Sequence, residues 1–218
     1  MISLQNISKV YRTKYGMNQI FSKLSLDIPT GSNVGILGKN GAGKSTLLRI
    51  IAGIEEPDSG RVVRNARISW PIGFSGGFNG SLTGEENCRF VSRIYSEDIR
   101  KVIDFVVQFS ELGMYFFMPV RTYSAGMKAR LAFALSMAIE FDVYLVDEIT
   151  AVGDLAFQAK CNAAFRKRQD RSDIIIVSHH INTLKEYCSI FAILENGIIR
   201  LYRDIDIAMN AYNKKQKE

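Results

Sequence analysis

The sequence predicts an α/β fold: a mainly parallel sheet at the core, an N-terminal antiparallel β subdomain and an inserted α-helical subdomain. Three observations lead there. From residue 143 onward, short apolar runs alternate with helical segments, the pattern of a parallel sheet. The apolar run 33–37 stops at a glycine-rich loop, GKNGAGKST (38–46), and a helical pattern follows. Before that loop, apolar and polar residues alternate as in paired strands.

Taken in order, strand-like alternation covers 2–7 and 22–28, closed by the turn Pro29-Thr30-Gly31. A helix is predicted from Lys44 to about Ala52, and one or two strands within 61–70. Thr83-Gly84-Glu85-Glu86 has capping-box spacing, so a helix starts there. Ser96 precedes another helical segment ending near Ser110, and a third runs from about Ala125 to Glu140 with Leu131, Leu135 and Ala138 on one face. Residues ~83–141 therefore read as a helical insert in one domain spanning 1–218. Beyond it come strand 143–147, helix 154–169, strand 173–178, helix 181–187 and strand 190–194. A turn at Glu195-Asn196-Gly197, one more strand and a helix from Asp204 or Asp206 complete the chain.

Composition narrows the class. No apolar run among the 218 residues approaches the ~20 needed to span a membrane. MISLQNISKVYR lacks the layout of a signal peptide, so a cytoplasmic location is expected. Three cysteines with no CxxC pair, and His179 and His180 as the only histidines, argue against structural zinc. The cysteines are expected reduced and partly buried. The net charge of +6, with Lys214, Lys215 and Lys217 in the tail, suits an anionic ligand or surface without choosing one.

The loop Gly38, Lys39, Asn40, Gly41, Ala42, Gly43, Lys44, Ser45, Thr46 matches G-x-x-x-x-G-K-[ST]. Successive backbone N–H groups must curl around a phosphate without Cβ atoms in the way. Lys44 reaches the terminal phosphates, Ser45 offers a hydroxyl to Mg²⁺, and the helix N-terminus adds its dipole. The apolar strand VYLVDE (143–148) ends in two carboxylates. Asp147 suits the Mg²⁺ shell and Glu148 suits polarising an attacking water; a helix cap or solvated edge is the alternative. The strand DIIIVS ends at His179, where parallel sheets place ligands, so that imidazole can bond a terminal phosphate or the water. In YSAGMKARLAFALSMA (123–138), Ser124 and Gly126 stand at a helix start. Hydroxyl, exposed amide and dipole make a second anion-binding surface there, although helix capping alone explains Ser-x-Gly. One nucleotide does not need two such surfaces from one compact chain unless a second copy supplies one.

GKNGAGKST, YSAGM, VYLVDE, AVGD (151–154) and His179, in that order, resemble the ATP-binding-cassette ATPase subunits over the whole chain. The resemblance implies a P-loop ATPase core that binds ATP and Mg²⁺. Two copies would pair head to tail, each ATP lying between the loop of one copy and Ser124 and Gly126 of the other. AVGD would cross between the sites. Tyr11 falls where the family has an aromatic stacked on adenine; an ordinary strand-edge tyrosine is the alternative. The family's usual L-S-G-G-Q is here Tyr123-Ser124-Ala125-Gly126-Met127. A glutamine expected soon after Trp70 is missing, since none occurs between Gln19 and Gln108, and Phe74 takes its place.

The segment ISWPIGFSGGFNGSLTGEEN (68–87) is similar to the subgroup that exports capsular polysaccharides and related polymers from bacteria. The resemblance implies a peripheral subunit on the cytoplasmic face of the inner membrane, partnered by a separate integral-membrane permease. It implies no nucleic-acid partner and no need to touch the transported substrate. Trp70, Phe74 and Phe78 are then either anchors for the permease beside exposed glycine backbone or rings of a packed loop, Trp70 being the one best placed in the core. With Glu218 following soon after the last helix, an added carbohydrate-binding domain is not expected. Two other classes remain: a soluble cassette acting on ribosomes or DNA, and a P-loop kinase or GTPase. A single P-loop weighs against the former and the absence of N-K-x-D against the latter.

Overall fold

A computed structural model of the chain describes residues 1–14, 16–72, 77–147, 154–178 and 180–214. Phe74, Gly76, Glu148, residues 151–153, His179 and the tail from Lys215 lie outside the described residues. Two compact units are present: Met1–Pro71 with Asp142–Ile149 and Ser172–Glu218, and Ile72–Phe141 with Thr150–Arg171.

The first unit holds two sheets. β1 (Ile2–Thr13) pairs antiparallel with β2 (Gly16–Ile28) on one side and with β4 (Ser59–Arg64) on the other. The second sheet has the order β5-β6-β7-β3-β8-β9, with β3 Val34–Leu37, β5 Ile68–Ile72, β6 Val143–Asp147, β7 Asp173–Val177, β8 Ile190–Glu195 and β9 Ile198–Tyr202. The β6/β7, β7/β3 and β3/β8 pairs are parallel and β8/β9 is an antiparallel hairpin. Every residue of β3 is buried, as are four of five in β6 and in β7. Burial on both faces is why these strands read as continuous apolar runs and not as alternation.

α1 (Lys44–Ala52) supplies Leu47, Leu48, Ile50 and Ile51 to one apolar cluster shared with both sheets, including Leu4 and Phe21 from the first and Ile36 and Leu145 from the second. That burial anchors the loop before α1 on two sides. α6 (Ile181–Tyr187) and α7 (Ile205–Lys214) complete this unit.

The second unit is helical: α2 (Gly84–Ile94), α3 (Ile99–Ser110), α4 (Ala125–Ala138) and α5 (Leu155–Gln169), with 3₁₀ turns at Gly113–Phe117 and Val120–Thr122. Local sequence starts each helix. Thr83 and Glu86 form the expected capping box: Glu86 N donates to Thr83 Oγ1 at 3.1 Å and Thr83 N to Glu86 Oε2 at 2.8 Å. Asp154 caps α5 and Ser124 caps α4. The cap of α3 is Asp98, which accepts from Arg100 N and Lys101 N; Ser96 lies two residues earlier at φ 54°. An ionised carboxylate with two amide donors there is the stronger cap. Cys88 and Cys161 are buried thiols, Cys188 is half-buried, and burial pushes all three up to about 12. Such thiols are protonated and unreactive at neutral pH.

Candidate functional site

β3 ends at Leu37, and the glycine-rich loop climbs from its carboxyl end into α1. Close approach demands glycine at both ends of the loop. A Cβ on Gly38 would sit 2.5 Å from the Leu194 carbonyl oxygen at the end of β8. Gly43 has φ 96°, in the left-handed region, and a Cβ there would run into Ile20 and Phe21 of β2. The loop is thus held down by neighbouring strands.

Lys44 is only 9% exposed. Its Nζ donates to Gly38 O at 2.8 Å and Lys39 O at 3.0 Å. Those bonds occupy two of the three ammonium donors and fix the charge beneath the loop. α1 has no side-chain cap and no acidic residue in its first turn. Its first amides, the positive dipole end and a fixed ammonium make a cradle for a phosphate chain. Ser45 is exposed beside it, and Thr46 is buried.

Strand register brings in Asp147. Ile36 of β3 pairs with Val177 of β7, and Val177 pairs with Asp147 of β6. One row across three parallel strands therefore sets Asp147 at the edge from which the loop springs. Its half-buried side chain and the Ser45 hydroxyl are the two hard oxygen donors predicted for Mg²⁺. Among the described residues no group of three or more His, Cys, Asp or Glu could hold a metal ion. A cation at this edge would take most of its oxygens from bound phosphate and water, as Mg²⁺ commonly does. The ligand set fits that ion.

Tyr11 carries a network that sequence alone does not reveal. Its hydroxyl donates to Glu55 Oε1 at 2.6 Å, accepts from Arg49 Nη2 at 3.1 Å and lies 3.4 Å from Thr46 Oγ1. Arg49 Nη2 also donates to Thr46 Oγ1 at 3.2 Å, and Lys9 pairs with Glu55 at 3.0 Å. Burial works against the Glu55 charge, but hydrogen bonds from Tyr11, Lys9 and Arg49 outweigh it and hold that carboxyl below its ordinary range. The tyrosine is thereby wired to the loop threonine.

A cleft of about 500 Å³ borders the loop, lined by Lys39, Asn40, Gly41 and Ala42 with Asn18, Gln19, Ile20, Ser22 and 194–197. Its size suits a small-molecule site.

In the second unit, Ser124 Oγ accepts from Met127 N at 3.2 Å and caps α4. Ser124 and Gly126 are exposed, and a Cβ on Gly126 would meet only the Ser124 hydroxyl oxygen, at 3.9 Å. This helix start is open to an approaching group. Trp70, in β5, and Phe78 are both half-buried.

A model of the ABC transporter family matches residues 21–151. The chain is 49% identical to the polysialic acid transport ATP-binding protein KpsT of Escherichia coli, over 99% of this chain and 98% of that one. It is 51% identical to the capsule polysaccharide export ATP-binding protein CtrD of Neisseria meningitidis serogroup B, over 98% and 99%. Among solved structures, a dimeric ATP-binding cassette in a post-hydrolysis state, bound to ADP and Pi, shares the fold with a TM-score of 0.75 at 23% identity, over 93% of this chain and 98% of that one. The matched segment carries the glycine-rich loop, Ser124 and Asp147 in order, and this chain belongs to the ABC transporter family.

Proposed function

We propose that this chain is the ATP-hydrolysing subunit of a two-component exporter that moves a capsular or other cell-surface polysaccharide across a bacterial inner membrane. The observation that carries this reading is near-half identity, end to end, to ATP-binding proteins of capsule and polysialic acid export. Residues 1–218 would act as one ATPase domain, with the helical insert at about 83–141. No described helix is long and apolar enough to cross a membrane. In this reading the spanning path belongs to a separate permease, with this subunit docked on its cytoplasmic face, as the names of the export-system relatives support.

The loop amides of 38–46 and Lys44 bind the phosphates of ATP, and Tyr11 stacks on the adenine. Ser45 and Asp147 would hold Mg²⁺, which when bound supplies charge neutralisation on the phosphate oxygens. Glu148 accepts a proton from the attacking water, and His179 hydrogen-bonds the terminal phosphate. Ser124 and Gly126 of a second copy close on the far side of the nucleotide, so two copies share two ATP molecules. Closure on ATP and reopening after hydrolysis drive the permease.

Glu148→Gln separates binding from chemistry. It should retain ATP, accumulate as closed dimer and lose roughly 10²–10⁴ in turnover, the usual effect of removing a general base. In cells, Lys44→Ala should abolish surface polysaccharide while polymer builds up inside. Near-wild-type hydrolysis by Glu148→Gln would remove that base from the scheme, and normal surface polymer with Lys44→Ala would refute the exporter.

A further inference from the structure

A groove of about 590 Å³ lies in the helical unit, and none of the residues assigned to ATP lines it. Lys160, Ala163, Ala164 and Lys167 of α5 recur along one wall at helical spacing. Phe105 and Phe109 of α3, with ring centroids 5.4 Å apart and planes 16° from parallel, line it as well, as does Met137 of α4. Two alanines standing between lysines leave room where larger side chains would have closed the interface.

The cations of this groove divide into two kinds. Lys160 Nζ donates to Gln108 O at 3.2 Å, Phe109 O at 3.0 Å and Glu111 Oε1 at 2.7 Å, which occupies all three of its donors. Arg168 Nη2 donates to Met137 O at 2.6 Å and Nη1 to Glu140 Oε1 at 3.0 Å. These two side chains satisfy carbonyls that α3 and α4 leave open at their ends. Lys167 and Arg171 are different. Both are exposed, and among the described residues neither forms an ion pair, not even with Asp170, the one carboxylate of the lining. The groove thus joins an aromatic floor to two uncommitted positive charges.

We infer that this groove is a binding site for a small anion with an aromatic or apolar body, its charge held by Lys167 and Arg171 and its body laid on Phe105 and Phe109. The site does not depend on the exporter reading. The volume is that of a small-molecule site. A bare phosphate would leave the rings unused, and a neutral apolar molecule would leave both cations unused. An extended peptide brings backbone N–H and C=O groups that need partners. The helix-end carbonyls beside the groove are already taken by Lys160 and Arg168. The chain's own tail, with Lys214, Lys215 and Lys217, has the wrong sign of charge.

The probe is 1-anilinonaphthalene-8-sulfonate, titrated into the full chain by calorimetry and fluorescence. N-phenyl-1-naphthylamine supplies the same rings without the sulfonate, and inorganic phosphate supplies an anion without rings. The sulfonate should bind at one site, at least about tenfold more tightly than either control, because only it satisfies both halves of the groove. This dye also reports other exposed apolar surface, so variants locate the site. Lys167→Glu with Arg171→Glu turns two attractions into repulsions and should weaken binding at least about tenfold. Ala163→Phe fills the groove from an exposed position and should weaken it without altering charge. Arg100→Glu with Lys101→Glu makes the same change in net charge at exposed positions outside the lining and should change nothing. All three variants should keep the wild-type melting temperature. Undiminished binding by the Lys167/Arg171 variant would overturn the inference, as would equal affinity for either control compound. Pelleting with phosphatidylglycerol vesicles that the same variant abolishes would assign the cations to a lipid surface instead. Dye binding to the isolated chain that is blocked once the chain is co-purified with a membrane protein would assign the groove to that partner. Either result would overturn the small-anion site.

Discussion

In the proposed scheme Tyr11 would carry two tasks. Its ring would stack on the base, while its hydroxyl is tied to Glu55, Arg49 and, at 3.4 Å, Thr46 of the phosphate loop. Removing the hydroxyl leaves Glu55 paired with Lys9 and Arg49, so no buried charge loses its partner and the fold should hold. Tyr11→Phe should therefore weaken ATP binding by roughly two- to tenfold, the worth of one net hydrogen bond. Tyr11→Ala, which also removes stacking worth about 1–3 kcal/mol, should weaken it further. Inorganic triphosphate, having no base, should lose affinity with Tyr11→Phe as ATP does, and should lose no more with Tyr11→Ala, whose further effect is on stacking alone. Calorimetric titration with both ligands checks this, and equal ATP affinity for Tyr11→Phe and wild type would reduce the hydroxyl network to a structural detail. The phosphate loop was legible in the sequence because its chemistry lies in nine consecutive residues. Arg49 and Glu55 were not, because their partner lies 38 and 44 positions away and only the fold joins them.

Elements show the same division between local and distant causes. α1 begins at Lys44, β6 spans 143–147 and α6 spans 181–187 as read from pattern, because burial period and end signals sit within each segment. β1 and β2 extend to Thr13 and from Gly16, well past the alternating stretches, since their outer halves are held by cross-strand pairing with shifted register. The turn at 113–118 was illegible for another reason: an apolar run says nothing of which side faces solvent. Gly84 offers a test at this scale. As the first residue of α2 it gains up to ~1 kcal/mol in helix propensity from replacement by alanine. The new methyl, however, would stand 2.7 Å from the Tyr123 hydroxyl and 2.9 Å from the Phe116 carbonyl oxygen. Phe116 O is backbone and cannot step aside cheaply, and overpacking of this kind costs about 1–3 kcal/mol. The contact term wins, and Gly84→Ala should lower stability in chemical denaturation. An unchanged or raised midpoint would mean that the packing between α2 and the turn gives way easily.

At the scale of the whole molecule, one chain offers a phosphate cradle at 38–46 and an open helix start at Ser124 and Gly126. If each ATP lies between the cradle of one copy and the helix start of the other, lesions in the two surfaces must complement across a dimer. Lys44→Ala disables the cradle. Ser124→Arg puts a bulky cation on an exposed cap, at a cost near 1 kcal/mol of helix stability, and leaves the chain folded. Each variant alone makes dimers in which both sites are damaged, so neither should hydrolyse ATP. Mixed dimers gather both lesions into one site and leave the other with a normal cradle and a normal helix start. Random pairing of equal amounts places roughly a quarter of all sites in that intact state, the arithmetic of a twofold dimer. Turnover of the mixture should rise from background toward that fraction, with heterodimers demonstrated by two affinity tags used in sequence. A mixture that stays at background despite proven heterodimers would mean that each copy completes its own site, or that two intact sites are required together. Trapping labelled ATP separates those cases, because a shared site still closes on one nucleotide per mixed dimer, and a mixed dimer that traps none is incompatible with sharing.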